Sequence, residues 1–433
     1  MKIKICLISY HSSPYVQPGG KNAGGMSIYL KEVCSRLASM TGVAVDIYTR
    51  IHDKKTTGVH VLSPSLRVIY LEGGPPELAD PDKLFEHVPA FIQRMEDFLE
   101  TEHLEYDVVY AHYWLSGLVG EWIAMNRDLP LVLTFHTLIY FKPPRPGDPT
   151  ADRRRMAEDH LIESAAGIVT SSTEERDFLI GNFQLPENKV RHILPGVDGG
   201  MFFPATGSNI SKAGEGLKAN SRPEAFSLLY VGRIVPEKGL RELLEVILEL
   251  RNTNPHVFAR LRLTIVGGSR DVSCSGPEEE RQDGGFNWAS EERILRAFVN
   301  DNKLDKQVVF AGPVKHDDLR SYYTAATACV MPSLSESFGL VMAEALACGI
   351  PVLAADIGEM GRFIHKGKNG YLFEPGNMDS LRDGLIELVQ KGTTWESNRI
   401  SKDITSRLSW DKTAERVLKY LAIIKDWYKS NLI

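Results

Sequence analysis

Two glutamates eight positions apart carry the densest chemical signal in the chain, in Pro332-Ser333-Leu334-Ser335-Glu336-Ser337-Phe338-Gly339-Leu340 followed by Val341-Met342-Ala343-Glu344. The run reads as a strand ending at Met331, a polar turn through Gly339 and a helix from Leu340. Backbone N–H groups at Phe338, Gly339 and Leu340 would then face an anion at the carboxyl end of a parallel sheet, where such folds bind ligands. Carboxylates repel a phosphate, so Glu336 and Glu344 need hydroxyl donors, and the hydroxyls of a sugar or a ribose serve. An ordinary strand-turn-helix with exposed glutamates is the alternative. A second cluster, Val231-Gly232-Arg233-Ile234-Val235-Pro236-Glu237-Lys238-Gly239, weighs against that alternative. Arg233 can grip two phosphate oxygens and Lys238 adds a second cation at the next helix start, enough to neutralise a diphosphate. On its own an Arg and a Lys five residues apart is a weak motif; its place just after a strand strengthens it.

These residues have to be positioned by parallel sheets. Short β-branched runs alternate with helical periods at 4–9, 43–49, 67–71, 107–111, 131–134, 168–170 and 190–194, and the alternation restarts at 226–231, 261–266, 308–310, 329–331 and 351–354. The spacing predicts an α/β fold of two Rossmann-like domains: 1–204, a Gly/Ser/Asn-rich linker at 205–224, 225–408, and a final amphipathic helix over 409–433 packing back across the domain boundary. Between the first two strands a glycine-bearing loop enters a helix over 26–40. The stretch 269–289 is polar and aperiodic, a surface loop.

Composition bounds the rest. The 433 residues are 43% hydrophobic and 24% charged, with a formal net charge of -6, which argues against a nucleic-acid binder. No apolar run is long enough to span a bilayer and the N-terminus has no leader-like cleavage site, so a cytoplasmic protein without stable membrane insertion is expected. Five cysteines without paired spacing read as reduced, mostly buried thiols. The Arg153-Arg154-Arg155 cluster is the only tight basic one, and its plain reading is a solvated helix start. No aspartate cluster of the metal-binding type is apparent, so no cofactor is obligatory, and any Mg²⁺ is expected to be an accessory ion. A homo-oligomer is compatible with the sequence.

Taken together, the chain resembles the retaining glycosyltransferases of the two-domain GT-B fold that share a glutamate-x7-glutamate motif, and the resemblance covers nearly its whole length. It implies that Glu336 holds donor-sugar hydroxyls, Glu344 the ribose, the amides at 338–340 the phosphates, and that Arg233 and Lys238 are the diphosphate pair. Val314, in Phe310-Ala311-Gly312-Pro313-Val314, matches the position whose backbone meets the base. The first half adds His11-Ser12-Ser13-Pro14, Ala23-Gly24-Gly25-Met26, His112-Tyr113-Trp114 and Thr134-Phe135-His136-Thr137. These look most like the branch that glycosylates inositol 3-phosphate and, more distantly, like sucrose-phosphate synthases. The likeness implies that Gly25 approaches the donor phosphate, that His136 sits beside the donor sugar, and that catalysis rests on His136, Arg233, Lys238 and Glu336 in a cleft between the domains.

On the acceptor side His11, Ser27, Tyr113, Thr137, Arg154 and Glu158 fall on matching positions. Two departures stand out: Ser27 occupies a place where the family has Asn, and Pro81 one where it has a phosphate-binding Lys, with Lys83 nearby. The partners so implied are a nucleotide-sugar donor, UDP-linked, and a small phosphorylated acceptor, with retention of anomeric configuration. Front-face departure of the nucleotide diphosphate is favoured over double displacement, because no Asp or Glu near His136 in sequence marks itself as a nucleophile. A transferase acting on a membrane lipid or polysaccharide precursor is the nearest rival, then a nucleotide-sugar epimerase and a catalytically silent sugar-nucleotide binder. An NAD oxidoreductase is disfavoured, since no Gly-x-Gly-x-x-Gly follows the first strand of either half.

Overall fold

The computed structural model describes residues 2–15, 24–78, 81–142, 149–205, 225–268 and 288–431. They form two compact units, Met1–Pro195 with Trp410–Ile433, and Gly196–Ser409. Each is an α/β layer structure of the Rossmann type, as the alternation of short apolar runs with helical periods predicts.

In the first unit the strands are β1 (Ile3–Ile8), β2 (Val43–Arg50), β3 (Gly58–Ser63), β4 (Leu66–Leu71), β5 (Val108–His112), β6 (Leu131–Thr134), β7 (Gly167–Thr170) and β8 (Val190–His192). Their order in the sheet is β3-β4-β2-β1-β5-β6-β7-β8. All neighbours are parallel except β3 and β4, an antiparallel pair at the edge. The central strands are buried along almost their whole length because helices cover both faces, which is why they read as continuous apolar runs. The chain leaves β1 toward β2 on one side and returns to β5 on the other, so the topological switch lies between the ends of β1 and β5.

The second unit holds β9 (Phe226–Val231), β10 (Leu261–Val266), β11 (Val308–Gly312), β12 (Ala328–Met331), β13 (Val352–Ala355) and β14 (Gly370–Phe373). This sheet is wholly parallel in the order β11-β10-β9-β12-β13-β14, with its switch between β9 and β12.

The first unit ends at Pro195, not at 204. The segment that follows is anchored to the second unit by its aromatics: Phe202 is buried against the rings of His316 and Tyr323, and Arg320 stacks on Phe203. Apart from residue 205, the expected linker lies outside the described residues. So does the expected loop over 269–289, except that its last two residues already belong to the helix Trp288–Asp301. The terminal helix Trp410–Asn431 belongs to the first unit. It buries Trp410, Ala414, Val417 and Leu421, and its Thr413 and Tyr420 hydroxyls donate to the carbonyls of Leu194 (2.8 Å) and Lys189 (2.6 Å).

Candidate active site

At the switch point of the second sheet, the loops after β9 and β12 lie side by side. The turn after β9 carries Arg233 and a short helical turn, Pro236–Lys238, which Gly239 ends at φ +66°. A Cβ at Gly239 would stand 1.8 Å from the Pro332 carbonyl oxygen, so glycine is what lets the two loops touch. The Leu334 N–H donates to the Glu237 carbonyl at 2.9 Å, tying them further. Lys238 Nζ thereby reaches Glu336: it forms an ion pair with Oε1 and lies 3.4 Å from the Ser335 carbonyl. Ser333 Oγ donates to the same Glu336 oxygen at 3.3 Å. The Arg233 side chain is 54% exposed and lies 4.0 Å from Glu237.

Past Glu336, Phe338 turns its ring into the interior against Phe363. Gly339, at φ +81°, caps the helix Leu340–Ala347. The first N–H groups of a helix have no acceptor within it, and the aligned peptide dipoles favour an anion there. Three residues before that cap stands Glu336, the partner of Lys238.

Glu344 is held more firmly than its spacing suggests. It is buried, Tyr323 donates its hydroxyl to Oε2 at 2.8 Å, and His316 Nε2 lies 2.7 Å from Oε1. His316 is in turn edge-on to Phe202. Burial and the neighbouring carboxylate push the Tyr323 phenol well above its ordinary range, so it stays a donor. Neither His316 nor Tyr323 is signalled by the sequence, since they lie 28 and 21 residues from Glu344 and no local pattern links them. Val314 follows β11, half-buried, where β9, β10 and β11 bring three glycines together. Gly267 N–H donates to the Gly312 carbonyl, and a Cβ on Gly267 would lie 1.9 Å from the Gly232 oxygen.

The remaining residues gather in the first unit, around its own switch point. Gly25 opens the helix Gly25–Ser39, with Gly24 extended before it. Ser27 is buried two residues on, its hydroxyl 2.9 Å from that of Ser12. His11 packs its ring on Tyr113, centroids 4.4 Å apart, and burial lowers its imidazole to about 3. Tyr113 and His136 both adopt left-handed backbone, φ +77° and +63°, conformations that non-glycine residues rarely hold and that cluster at functional sites. His136 is likewise lowered to about 3 by burial, so it is a neutral imidazole.

Arg154 does not sit at a solvated helix start. It lies in the second turn of the helix Pro149–Ser164 and is buried, 5% exposed. Its Nε donates to Glu158 at 2.6 Å, one terminal nitrogen to the Tyr113 hydroxyl at 3.0 Å, and the other to the Thr137 carbonyl. The guanidinium also lies 4.8 Å from the Tyr113 ring centroid. Glu158 is fully buried and also accepts the Ile139 N–H at 2.7 Å; burial raises its carboxyl above the ordinary value. Tyr113, Thr137, Arg154 and Glu158 are therefore one connected network. Thr137 contributes its carbonyl to it, while its hydroxyl donates to the His136 carbonyl. The side chain of Pro81 lies outside the described residues. Among the described residues, no three His, Cys, Asp or Glu side chains are grouped to hold a metal ion, and no helix is long and apolar enough to cross a membrane.

Known proteins share this architecture. The family model of the group 1 glycosyl transferases matches residues 217–407, and that of glycosyltransferase family 4 matches 23–199. Among curated relatives, the D-inositol 3-phosphate glycosyltransferase of Acidothermus cellulolyticus is 32% identical, the match covering 96% of this chain and 89% of the relative. That of Thermobifida fusca is 33% identical, over 96% and 92%. Among solved structures, sucrose-phosphate synthase from Thermosynechococcus elongatus superposes with a TM-score of 0.80 at 26% identity, covering 96% of this chain and 98% of that one. A structure of Anabaena HepE in complex with UDP and glucose superposes at 0.71 and 18% identity, over 97% and 99%, a likeness of fold. This chain therefore belongs to the GT-B glycosyltransferases, with a family 4 first half and a group 1 second half, and is an enzyme of the hexosyltransferase kind.

Proposed function

We propose that this enzyme transfers a hexose or N-acetylhexosamine from a UDP-sugar to a small phosphorylated polyol or sugar, with retention of anomeric configuration. The observation that carries the reading is the pairing of Lys238 with Glu336 beside the N-terminus of Leu340–Ala347. A cation, a helix dipole and a carboxylate there suit the charged and hydroxylated halves of one nucleotide sugar. Glu344, oriented by His316 and Tyr323, keeps acceptor lone pairs for ribose hydroxyls. The names of the curated relatives support a phosphorylated polyol as acceptor. A cytoplasmic setting is part of the same reading, in keeping with the free, buried Cys6, Cys34, Cys329 and Cys348.

In this reading the bond from the anomeric carbon to the leaving phosphate oxygen breaks as the acceptor oxygen approaches from the same face. Lys238, Arg233 and the helix N-terminus stabilise the charge that builds on the diphosphate, which is where preorganised donors act most strongly. The leaving phosphate oxygen takes the acceptor proton. Glu336 holds the sugar hydroxyls, with Lys238 shared between it and the diphosphate. In the first unit, the Arg154 network with Tyr113 and Thr137, together with His11 and Ser27, receives the acceptor.

The test is product analysis. The protein is incubated with UDP-N-acetylglucosamine or UDP-glucose and either inositol 3-phosphate or a hexose 6-phosphate, and UDP release and the anomeric proton are followed by NMR. Acceptor-dependent UDP release with an α-linked product supports the reading. A β-linked product, or release of free sugar regardless of acceptor, overturns it.

A further inference from the structure

The described residues form two open sheets, and the strands at their edges are β3 and β8 in the first and β11 and β14 in the second. Three of these edges are short or partly covered. β8 is three residues long with Val190 buried, β14 is buried at Gly370, Tyr371 and Phe373, and β11 is exposed only at Val309 and Ala311. β3 differs: Gly58, Val59, His60, Val61 and Leu62 are all exposed. Successive side chains of a strand point to opposite faces, so neither face of β3 is covered. Val61 is 67% exposed, Leu62 47% and Val59 44%. The inner edge of β3 is engaged by its antiparallel ladder with β4; among the described residues no strand pairs with its outer edge.

An exposed apolar edge strand is a template for another strand, and edges that must stay single are blunted by Lys, Pro or an inward-pointing charge. β3 has none of these. No Asp, Glu, Lys or Arg occurs from Thr56 to Leu66, although 24% of the chain is charged, and Pro64 comes only after the strand has ended. The ladder shifts register between Val61 and Ser63, which leaves Gly58–Val61 regular. The missing charge bears on what the partner is. In a two-fold dimer the same patch meets itself, so any charge near the axis faces its own copy at close range. An uncharged strand rich in valine avoids that repulsion, whereas it offers a charged foreign segment nothing to pair with.

We infer that β3 is a homodimer interface: two copies of this chain pair the outer edges of their β3 strands antiparallel about a two-fold axis, so that the sheets of the two first units become continuous. The axis itself makes the pairing antiparallel, because it turns the strand to run against its copy. Centred on His60, the pairing sets Val59 opposite Val61 of the other copy, and does so twice. Cross-strand pairs of β-branched side chains are favourable contacts on a sheet face.

The experiment measures the mass of the full chain by light scattering and sedimentation, and backbone hydrogen exchange by mass spectrometry over a range of protein concentrations. The wild type should have the mass of two chains at micromolar concentration, and the amides of residues 58–62 should exchange more slowly as concentration rises. Val61→Lys places a cation at each end of the paired segment, on a side chain exposed enough for the fold to stand. It should weaken the dimer about tenfold or more and make exchange at 58–62 independent of concentration, with a melting temperature close to that of the dissociated wild type. A wild type that stays monomeric at high micromolar concentration overturns the inference. So does a dimer whose 58–62 amides do not respond to concentration, since its interface then lies elsewhere, or a folded Val61→Lys variant that dimerises as the wild type does. Should Val61→Lys misfold, Val59→Lys puts the charge at the facing position and is read in the same way. None of these measurements involves turnover, so they stand apart from the proposed function.

Discussion

Lys238 and Glu336, 98 residues apart in sequence, form an ion pair where the loops after β9 and β12 meet. The pair is only partly shielded from water, with 17% and 20% of the two side chains exposed. Its net worth to the fold is therefore small, within about 1 kcal/mol. In the proposed reaction the same ammonium faces a leaving diphosphate, where its effect is large. Lys238→Ala and Arg233→Ala should each lower turnover by roughly 10²-fold or more, with melting temperatures close to wild type. Wild-type-like turnover in both would remove the second-unit switch point as the donor site.

Glu344→Gln and Glu336→Gln should separate. Glu344 receives the Tyr323 hydroxyl and faces His316 in a buried setting, so an amide there sets an N–H against one of its partners. A loss of about 1–3 kcal/mol is expected from the disturbed buried hydrogen bonds, together with weaker binding of bare UDP by calorimetry. Glu336→Gln should bind UDP nearly as well and stay as stable, while turnover falls. A Glu336 variant that loses UDP affinity while the Glu344 variant keeps it would reverse the two roles.

Much of this was legible in the sequence because parallel strands covered on both faces are apolar throughout, and because Glu336, Lys238 and Arg233 sit where strand turns into helix. Two strands were not legible. β3 is exposed along nearly its whole length, so Val59, Val61 and Leu62 show no alternation, and β14 is four residues entered through Gly370. The unit boundary at Pro195 was hidden because it depends on where Phe202 packs. His316 and Tyr323 were hidden for the reason that most orienting residues are: they come from another element, at no fixed spacing. The burial of Arg154 was not legible because its basic neighbours suggest a surface, whereas its own guanidinium is folded inward onto Tyr113 and Glu158.

The two left-handed glycines at the switch point should differ in tolerance. An alanine at either pays the cost of positive φ, about 1–2 kcal/mol. At Gly239 the new Cβ also meets the backbone oxygen of Pro332 at 1.8 Å, whereas at Gly339 it meets the terminal methyl of Met360 at 2.0 Å, which can swing aside. Gly239→Ala should melt at a distinctly lower temperature than Gly339→Ala and lose UDP binding. Equal melting temperatures would show that the contact between the loops is not what requires glycine.

Glu175 provides a pH test of the first unit. It is buried at the start of the helix Thr173–Asn182, accepts the Ser171 N–H at 3.4 Å, and has its other oxygen without a hydrogen-bond partner among the described residues. Burial is the main cause that raises its carboxyl from 4.5 to about 8. The folded state thus binds the proton more tightly than the unfolded chain. The stability this gives is complete below the unfolded value and is lost as pH rises from about 4.5 toward about 8. Glu175→Gln, which mimics the protonated form, should flatten the fall of melting temperature between pH 5 and pH 8.5 and be the more stable protein at the alkaline end. A variant with the wild-type slope would mean that Glu175 titrates normally.

Arg154 has a structural duty and a proposed ligand duty, and one substitution cannot tell them apart. Arg154→Ala strands the fully buried Glu158, and breaking a buried pair on one side costs about 3–5 kcal/mol, so lost activity in that variant would be ambiguous. The double variant Arg154→Met, Glu158→Gln removes both charges, and replacing a whole buried pair by neutral groups is often nearly free. Its melting temperature should recover most of what Arg154→Ala loses. Acceptor binding should not recover: if the guanidinium meets the acceptor phosphate, KM for acceptor rises by one to two orders of magnitude, matching the ~1.5–3 kcal/mol of a charged hydrogen bond, while donor KM stays put. Inorganic phosphate should compete with acceptor in the wild type and lose that effect in the double variant. A double variant that regains both stability and acceptor KM would assign Arg154 wholly to the fold, holding Tyr113 in its left-handed turn and Thr137 beside it.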